Sequence, residues 1–271
     1  MANRPRKRNA KSNFSGNHQR SWLWGQHAVT ETLQAGLWPI LEIFVTDAAH
    51  QQVAELLHLA SQAGTPVEIV SSERLEQLSR SSEHQGFVAR LGPYPYGSMQ
   101  SFEQALISQL NAFAAQLGQA PLVVICDRIQ DAFNFGAILR CCDGANVTGV
   151  IVGEHGQAEV TPHVARSSSG AVNYLPIVKV ADVREAATLI QALGLQLIAA
   201  DSNSPSNVWK TPLNCPTALV IGSEAHGISP EILGVCDHQV CIPMSGRVTS
   251  LNAAVATGIL LYEIRRQQTN L

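Results

Sequence analysis

The chain has 271 residues, of which 45% are hydrophobic and 14% are charged, and its formal net charge is −3. This composition excludes wholesale disorder because it can bury a sizeable core, and the length allows two domains. No apolar run is as long as a membrane span, and the basic first residues do not resemble a signal peptide. We therefore expect a cytoplasmic protein without a membrane partner.

The first twenty residues differ from the rest of the chain in charge. They carry six of the 18 basic residues and none of the 21 acidic ones. A basic arm rich in Asn and Ser on an acidic body is typical of a disordered tail that binds nucleic acid. A tail that only solubilises the protein is the alternative. We predict that residues 1–20 are disordered and supply much of the non-specific affinity for nucleic acid.

A small α/β unit follows the arm. Helices are predicted over 26–35, 49–62 and 73–79, and strands over 40–46, 66–70 and 86–91. Alternation of short strands with helices favours a small α/β layer. The turn-rich break over 92–97 is then the candidate linker, and an amphipathic helix is predicted after it over 101–117.

A second α/β run fills the rest of the chain. Its predicted strands are 122–126, 147–152, 174–180, 195–200, 218–222 and 238–243, with helices near 135–145, 183–193 and 250–267. Short, continuous apolar strands between helices predict a parallel sheet covered on both faces, and ligands of such sheets bind at the carboxyl ends of the strands. We therefore divide the chain into an arm (1–20), a small domain (21–92), a linker with its helix (93–120) and a larger domain (121–271).

The six cysteines form no regular framework in the sequence. Cys236, His238 and Cys241 have the spacing of half a metal site, but no second pair completes it. Buried, reduced thiols are the alternative, and the sequence favours them. We predict no metal site.

Polar residues follow the strand over 122–126. Asn134 is a plausible cap for the next helix. Arg140 lies less than two turns further on, among apolar neighbours, and an arginine there needs a partner or an anionic ligand. The alternative is that Arg140 forms a structural ion pair with Asp143 or Asp131.

A second polar loop follows the strand over 218–222. Its glycine spacing resembles a phosphate-binding loop, but Ile228 stands where that loop requires lysine, which argues against nucleotide triphosphate hydrolysis. The chain also has no Gly-x-Gly-x-x-Gly pattern for a dinucleotide. Glu224 directly follows a buried strand and needs a partner, for which we predict Arg140. His226 is either an acid–base group or, more simply, a loop residue.

The third loop joins the last strand to the last helix. Thr249 or Ser250 is the predicted helix cap, and free backbone N–H groups at such a start suit a polar ligand. An ordinary strand–loop–helix joint is the alternative. The predicted apolar face of the helix comprises Leu251, Ala254, Val255, Gly258, Ile259 and Tyr262.

The three loops carry a combined pattern. It reads Asn134-x-Gly136-x-x-x-Arg140, Gly222-x-Glu224-x-x-Gly227-Ile228-Ser229 and Ile242-Pro243-Met244-x-Gly246-x-x-x-Ser250-Leu251-Asn252. In order and spacing it resembles the three-motif signature of the SPOUT (SpoU/TrmH) RNA 2′-O-ribose methyltransferases. The small domain resembles the L30e-like RNA-binding domain of that family, with Gly25-x-His27-Ala28-Val29 and His84-Gln85-Gly86 as its local marks. The layout over about residues 21–268 is most similar to members that methylate a guanosine of 23S rRNA.

The resemblance implies a fold, a cofactor and a site. The fold is an α/β methyltransferase domain with a parallel sheet and a C-terminal trefoil knot, in a homodimer packed through the knot domains. S-adenosylmethionine is expected at Gly222, Ile242, Met244 and Leu251, with no metal required. The expected catalytic residues are Asn134, Arg140, Glu224, Ser250 and Asn252.

Each of these catalytic residues has an expected role. Arg140 positions the substrate phosphate and stabilises a developing alkoxide, which fits a guanidinium better than acting as a free base. Asn134 and Asn252 orient Arg140 and the ribose. Glu224 holds the arginine or the loop, and Ser250 caps the helix and binds near the nucleophile.

Two alternatives to 23S rRNA methylation stay open in the sequence. One is a tRNA ribose 2′-O-methyltransferase, and the other is a non-catalytic RNA-binding or assembly factor of the same fold. In each reading the partner is RNA and not DNA, because a 2′-hydroxyl distinguishes the two.

Overall fold

The computed structural model describes residues 21–47 and 50–269. The basic arm therefore lies outside the described residues, and its predicted disorder stays a prediction. Among the residues described, no helix is long and apolar enough to cross a membrane.

The N-terminal part is a four-stranded sheet with three helices. The strands are Trp22–Trp24 (β1), Ile40–Val45 (β2), Val67–Ile69 (β3) and Phe87–Leu91 (β4), and the helices are Gln26–Ala35 (α1), His50–Ala63 (α2) and Ser72–Ser79 (α3). The strand order is β1-β4-β2-β3. β4 is antiparallel to β1 and β2, whereas β3 is parallel to β2. The sequence pattern did not predict β1, whose three residues are too few for a visible alternation.

The C-terminal part is a six-stranded parallel sheet. Its strands are Leu122–Asp127 (β5), Gly149–Gly153 (β6), Ile177–Val180 (β7), Gln196–Ala200 (β8), Thr217–Gly222 (β9) and His238–Val240 (β10). The order is β10-β8-β9-β5-β6-β7, and every neighbouring pair is parallel. β5 and β9 are central, and all six residues of β5 are buried. This confirms the parallel sheet predicted from the apolar strands.

Helices separate these strands and cover both faces of the sheet. They are Met99–Ala114 (α4), Ala132–Gly144 (α5), Pro162–Ser167 (α6), Val183–Ala192 (α7), Pro230–Leu233 (α8) and Ala253–Thr269 (α9). The sequence pattern did not predict the short helices α6 and α8, because neither is long enough to show a helical period. β7 begins later than predicted because a short 3-10 turn, Ala171–Asn173, and then Pro176 precede it.

The last helix ties the end of the chain to the start of its domain. Arg265 is only 9% exposed, and its guanidinium donates to the backbone carbonyls of Ala120, Ala145 and Asn146. Burial lowers the pKa of Arg265. The guanidinium also donates to Gln268 Oε1 at 2.7 Å, and a buried cation with its donors satisfied in this way fixes the direction in which α9 leaves the site.

The segment predicted as a linker, 92–97, is packed between the two sheets. The Tyr94 hydroxyl donates to the carbonyl of Val172 at 3.0 Å, and the Tyr96 hydroxyl accepts from the backbone N–H of Val160 at 2.8 Å. Trp38 packs edge-on against Tyr94 at 5.1 Å between ring centroids. One cluster of buried apolar residues spans both sheets, and the domain boundaries stay a prediction.

Candidate active site

The three polar loops meet at the carboxyl ends of β5, β9 and β10. The Asn134 side-chain amide donates to Glu224 Oε1 at 2.5 Å. The Asn252 amide donates to the same oxygen at 2.9 Å and to Asn134 Oδ1 at 3.0 Å. These three residues, which we call the amide–carboxylate network, come from three distant parts of the sequence. The predicted convergence of the loops is therefore present in the fold.

Helix α5 positions Asn134, although not as predicted. Asp131 and not Asn134 is its cap, because Asp131 Oδ1 accepts from the Asn134 backbone N–H at 2.8 Å. Asn134 thus lies inside the first turn, where its side chain is free to reach Glu224. A Cβ at Gly136 would lie 1.8 Å from Ser167 Oγ, so glycine is required there for α5 to pack on α6.

Asn252 has two tasks. Its Oδ1 accepts from the backbone N–H groups of Ala254 and Val255, which makes it the cap of α9. The predicted caps, Thr249 and Ser250, are wrong, because the helix begins only at Ala253. Capping directs the Asn252 NH₂ group towards Glu224, so helix start and site geometry depend on one side chain.

The predicted apolar face of α9 is wrong in part, because the side of the helix that packs against the core is offset from it. Val255 and Tyr262 are exposed, at 52% and 58%. The buried positions on α9 are Ala253, Ala254, Thr257, Leu260, Leu261, Glu263, Ile264 and Arg265.

The loop that carries Glu224 is held by its backbone. Ser223 and Gly227 exchange two backbone hydrogen bonds, of 3.1 and 2.8 Å. A Cβ at Gly222 would lie 2.2 Å from the backbone of Gly227 and Ile228. Buried Asp127, at the end of β5, accepts from the backbone N–H of Ser229 at 2.6 Å and so anchors the far end of the loop.

A cavity of about 830 Å³ opens beside the amide–carboxylate network. All four predicted cofactor residues line it, namely Gly222, Ile242, Met244 and Leu251, and so do Glu224, Ser250 and Asn252. The volume lies within the range of small-molecule and cofactor sites. Apolar side chains next to loop backbone suit a ligand that combines a flat ring with polar groups.

The sequence did not single out one wall of the cavity. Asp201, Ser202 and Asn203 follow β8 and line the cavity, and Asp201 Oδ1 accepts from the Asn203 backbone N–H at 2.9 Å. Their position after a buried strand was the only available signal. His226 also lines the cavity, and its backbone N–H donates to Ser223 Oγ at 3.2 Å.

Arg140 lies on α5, as the sequence pattern predicted, but without the predicted partner. Its side chain is exposed on α5, and it makes no hydrogen bond or ion pair with the described residues. The predicted Arg140–Glu224 pair is wrong, since Glu224 Oε1 accepts from the two asparagine amides of the network instead. The alternative pairs with Asp131 and Asp143 are also not formed. Arg140 is thus a cation whose donors are available to an anionic ligand.

The cysteines are all free thiols, with Cys126 and Cys142 buried and the other four partly buried. Burial, and to a lesser extent the neighbouring Asp127, raise the pKa of Cys126 to about 12. Within 21–47 and 50–269, no three His, Cys, Asp or Glu side chains are grouped closely enough to hold a metal ion.

Comparisons with known proteins match both parts of the chain. A family model described as the SpoU rRNA Methylase family matches residues 121–262. Another, described as RNA 2′-O ribose methyltransferase substrate binding, matches residues 22–97. The two matches follow one another along the chain and leave out α4.

Individual proteins are similar along almost the whole length. A Bacillus subtilis (strain 168) protein named as a TrmH family tRNA/rRNA methyltransferase, YacO, is 29% identical over 92% of this chain and 97% of its own. A similarly named Staphylococcus saprophyticus protein is 32% identical over 90% and 94%. The crystal structure of the SpoU methyltransferase AviRb from Streptomyces viridochromogenes, in complex with the cofactor AdoMet, superposes with a TM-score of 0.74 at 26% identity. That match covers 93% of this chain and 91% of AviRb and confirms the predicted α/β methyltransferase fold with its parallel sheet.

Proposed function

This chain belongs to the SpoU rRNA methylase family of S-adenosylmethionine-dependent RNA methyltransferases, and on that premise we propose that it methylates the ribose 2′-hydroxyl of a guanosine in 23S rRNA. The observation that carries the proposal is the amide–carboxylate network at the rim of the cavity. The match of residues 22–97 to a 2′-O ribose methyltransferase substrate-binding model supports a ribose substrate.

The cofactor residues proposed are Gly222, Ile242, Met244 and Leu251. All four line the cavity, which combines apolar side chains with loop backbone and the polar wall after β8. This lining fits an adenosine joined to a methionine chain, because the ring needs an apolar slot and the polar ends need donors and acceptors. When bound, the cofactor supplies an activated methyl group, so the protein needs to position the hydroxyl and stabilise its oxygen.

The network residues are proposed to orient the ribose. Glu224 Oε1 accepts from two amides, which fixes the carboxylate beside the cavity. Ser250 is exposed on the same rim, where its hydroxyl can contact the substrate. Arg140 is proposed to bind the substrate phosphate and to stabilise the alkoxide as the proton leaves, because its donors are uncommitted.

We also propose that the protein is a homodimer with a trefoil-knotted catalytic domain and the domain boundaries given above. Val255 and Tyr262 leave an apolar face on α9, and Arg140 is exposed on the neighbouring α5. A second copy packed on this face would shield apolar surface and bring the arginine close to an interface.

A tRNA substrate is the second candidate, because the curated relatives are named as tRNA/rRNA methyltransferases. A non-catalytic RNA-binding factor is less well supported. Such a factor has no need for a carboxylate fixed by two amides beside a cofactor-sized cavity.

The test is methyl transfer from labelled S-adenosylmethionine to total rRNA and, separately, total tRNA, followed by digestion to nucleosides. We expect label on the ribose of guanosine from 23S rRNA. Arg140→Ala should lower kcat by about 100-fold, as expected for loss of one group that stabilises an oxyanion. Arg184→Gln, an exposed arginine on α7, is the control. Label on a base, or label only in tRNA, would contradict the proposal.

A further inference from the structure

An exposed aromatic side chain stands directly beside the amide–carboxylate network. Phe133 immediately precedes Asn134 in the first turn of α5, and 67% of its side chain is exposed. A single exposed apolar residue needs no explanation by itself. Phe133 differs from other exposed apolar residues in the side chains that surround it.

Phe133 begins a row of rings that leads away from the network. Its ring centroid lies 6.3 Å from that of His163, and His163 lies 5.6 Å from Trp24 in an edge-on arrangement. The guanidinium carbon of Arg166 lies 4.3 Å above the Trp24 ring. We call Phe133, His163, Trp24 and Arg166 the aromatic strip. It extends from the amide–carboxylate network to β1 of the N-terminal sheet.

The far end of the strip carries a cation with free donors. Arg166 is exposed, and no carboxylate of the described part of the chain lies within ion-pair distance of it. A second cavity of about 430 Å³ begins there, between the two sheets, and His27 and Gln85 also line it. Glu83 lines this cavity as well, so the cavity is not uniformly positive.

The surroundings of His163, in the middle of the strip, disfavour its charged form. Burial, and then the neighbouring Arg166, lower the pKa of His163 below its usual value of 6.5. The strip thus presents the exposed ring of Phe133 and the half-buried ring of His163 next to the network, and the exposed cation of Arg166 further away; the Trp24 ring, only 7% exposed, lies buried beneath that cation. This combination is typical of surfaces that bind single-stranded nucleic acid, where bases stack on rings and arginine contacts phosphate.

We propose that the aromatic strip binds the single-stranded nucleotides that flank the methylated one, with Phe133 stacking on a base and Arg166 contacting a backbone phosphate. The inference rests on the proposed function for its substrate, RNA, and for the position of the reacting nucleotide. RNA is favoured over a protein partner because the strip extends from the amide–carboxylate network to the segment that matches a substrate-binding model. Stacking at Phe133 tolerates any base, so the strip adds affinity and register but little sequence preference.

The experiment compares Phe133→Ala, Phe133→Trp and Arg166→Gln with wild type. Matched controls are Leu117→Ala, an 84% exposed apolar residue after α4, and Arg184→Gln on α7. Binding of a fluorescein-labelled 12-nucleotide RNA is followed by anisotropy, methyl transfer to total rRNA gives kcat and KM, and light scattering gives the mass. Loss of one stacked base should weaken binding and raise KM for rRNA by about tenfold in Phe133→Ala, with kcat at saturating RNA unchanged. Phe133→Trp should restore both values.

Equal RNA affinity and KM in Phe133→Ala and wild type would overturn the inference. A changed mass with unchanged RNA affinity would also overturn it, and would assign Phe133 to a contact between copies. If wild type binds the oligonucleotide but transfers no methyl group to RNA, the proposed function fails while the binding measurements still decide the strip.

Discussion

The proposed cofactor side and the proposed RNA side of the candidate site are built by different means. The cavity is shaped by backbone, as at Gly222, where the chain comes so close to Gly227 that no side chain fits. The RNA side consists of side chains that reach out of three elements, among them Asn134, Glu224 and Asn252, which hold one another by hydrogen bonds. The cofactor side should therefore be sensitive to backbone displacement, and the RNA side to the chemistry of single side chains.

The largest effect should follow a change on the cofactor side. In Gly222→Ala the new Cβ would meet backbone atoms of Gly227 and Ile228 at 2.2 Å, so the loop that carries Glu224 must move. We expect an unfolding free energy lower by about 1–3 kcal/mol and methyl transfer slower by about 100-fold. Urea unfolding and methyl transfer to rRNA measure the two effects, and calorimetric titration with S-adenosylmethionine shows whether cofactor affinity falls as well.

Gly246→Ala is the control within the same site. Gly246 lies in the loop before α9, its φ is not in the left-handed region, and a Cβ there would have no atom within 4 Å. We expect wild-type stability and cofactor affinity. Equal losses in the two variants would show that the glycine loops as such, and not the close approach at Gly222, determine cofactor binding.

The sequence predicted the cofactor side better than the RNA side, for a physical reason. Strand ends in a parallel sheet are set by apolar runs, so the loops after β9 and β10 were placed correctly. Ile242 and Met244, which the family resemblance implied, line the cavity. Side-chain partners depend on where helices begin. Helix α9 begins at Ala253 and not at Ser250, so Asn252 is its cap. Asn252 also donates a hydrogen bond to Glu224, for which Arg140 was the predicted partner.

The ring contacts of the aromatic strip could not be predicted from the sequence. Trp24, Phe133 and His163 lie in different elements, and only the packing of α6 between β1 and α5 brings their rings together. Neither β1 nor α6 is long enough to show a period, so no local pattern could predict the contact.

A change at Asn252 should separate the two tasks of that residue. Asn252→Asp keeps an oxygen for the N–H groups of Ala254 and Val255 but replaces the donor facing Glu224 by a second acceptor. Asn252→Ala loses both tasks. We expect both variants to lose methyl transfer, but only Asn252→Ala to lose the about 0.5–2 kcal/mol typical of a helix cap.

Urea unfolding and methyl transfer to rRNA measure the two losses separately. In Asn252→Asp, two facing carboxylates raise the pKa of one of them, so activity should recover in part as the pH falls and a shared proton restores a donor. If Asn252→Asp were as active as wild type at neutral pH, the hydrogen bond from Asn252 to Glu224 would have no role in the reaction.

The smallest effect concerns the pH dependence of stability on the RNA side. Burial, and then Arg166, lower the pKa of His163 in the folded protein, so the unfolded chain binds a proton more readily at this residue. Stability should therefore decrease as the pH falls below about 6.5, the ordinary value for histidine, because protonation then favours unfolding. His163→Gln should lose less stability than wild type between about pH 8 and about pH 5 in urea unfolding. Because every other titrating group is common to both proteins, an identical pH dependence would mean that His163 is as free to protonate in the fold as in the unfolded chain, and that the strip is more open to water than its ring contacts indicate.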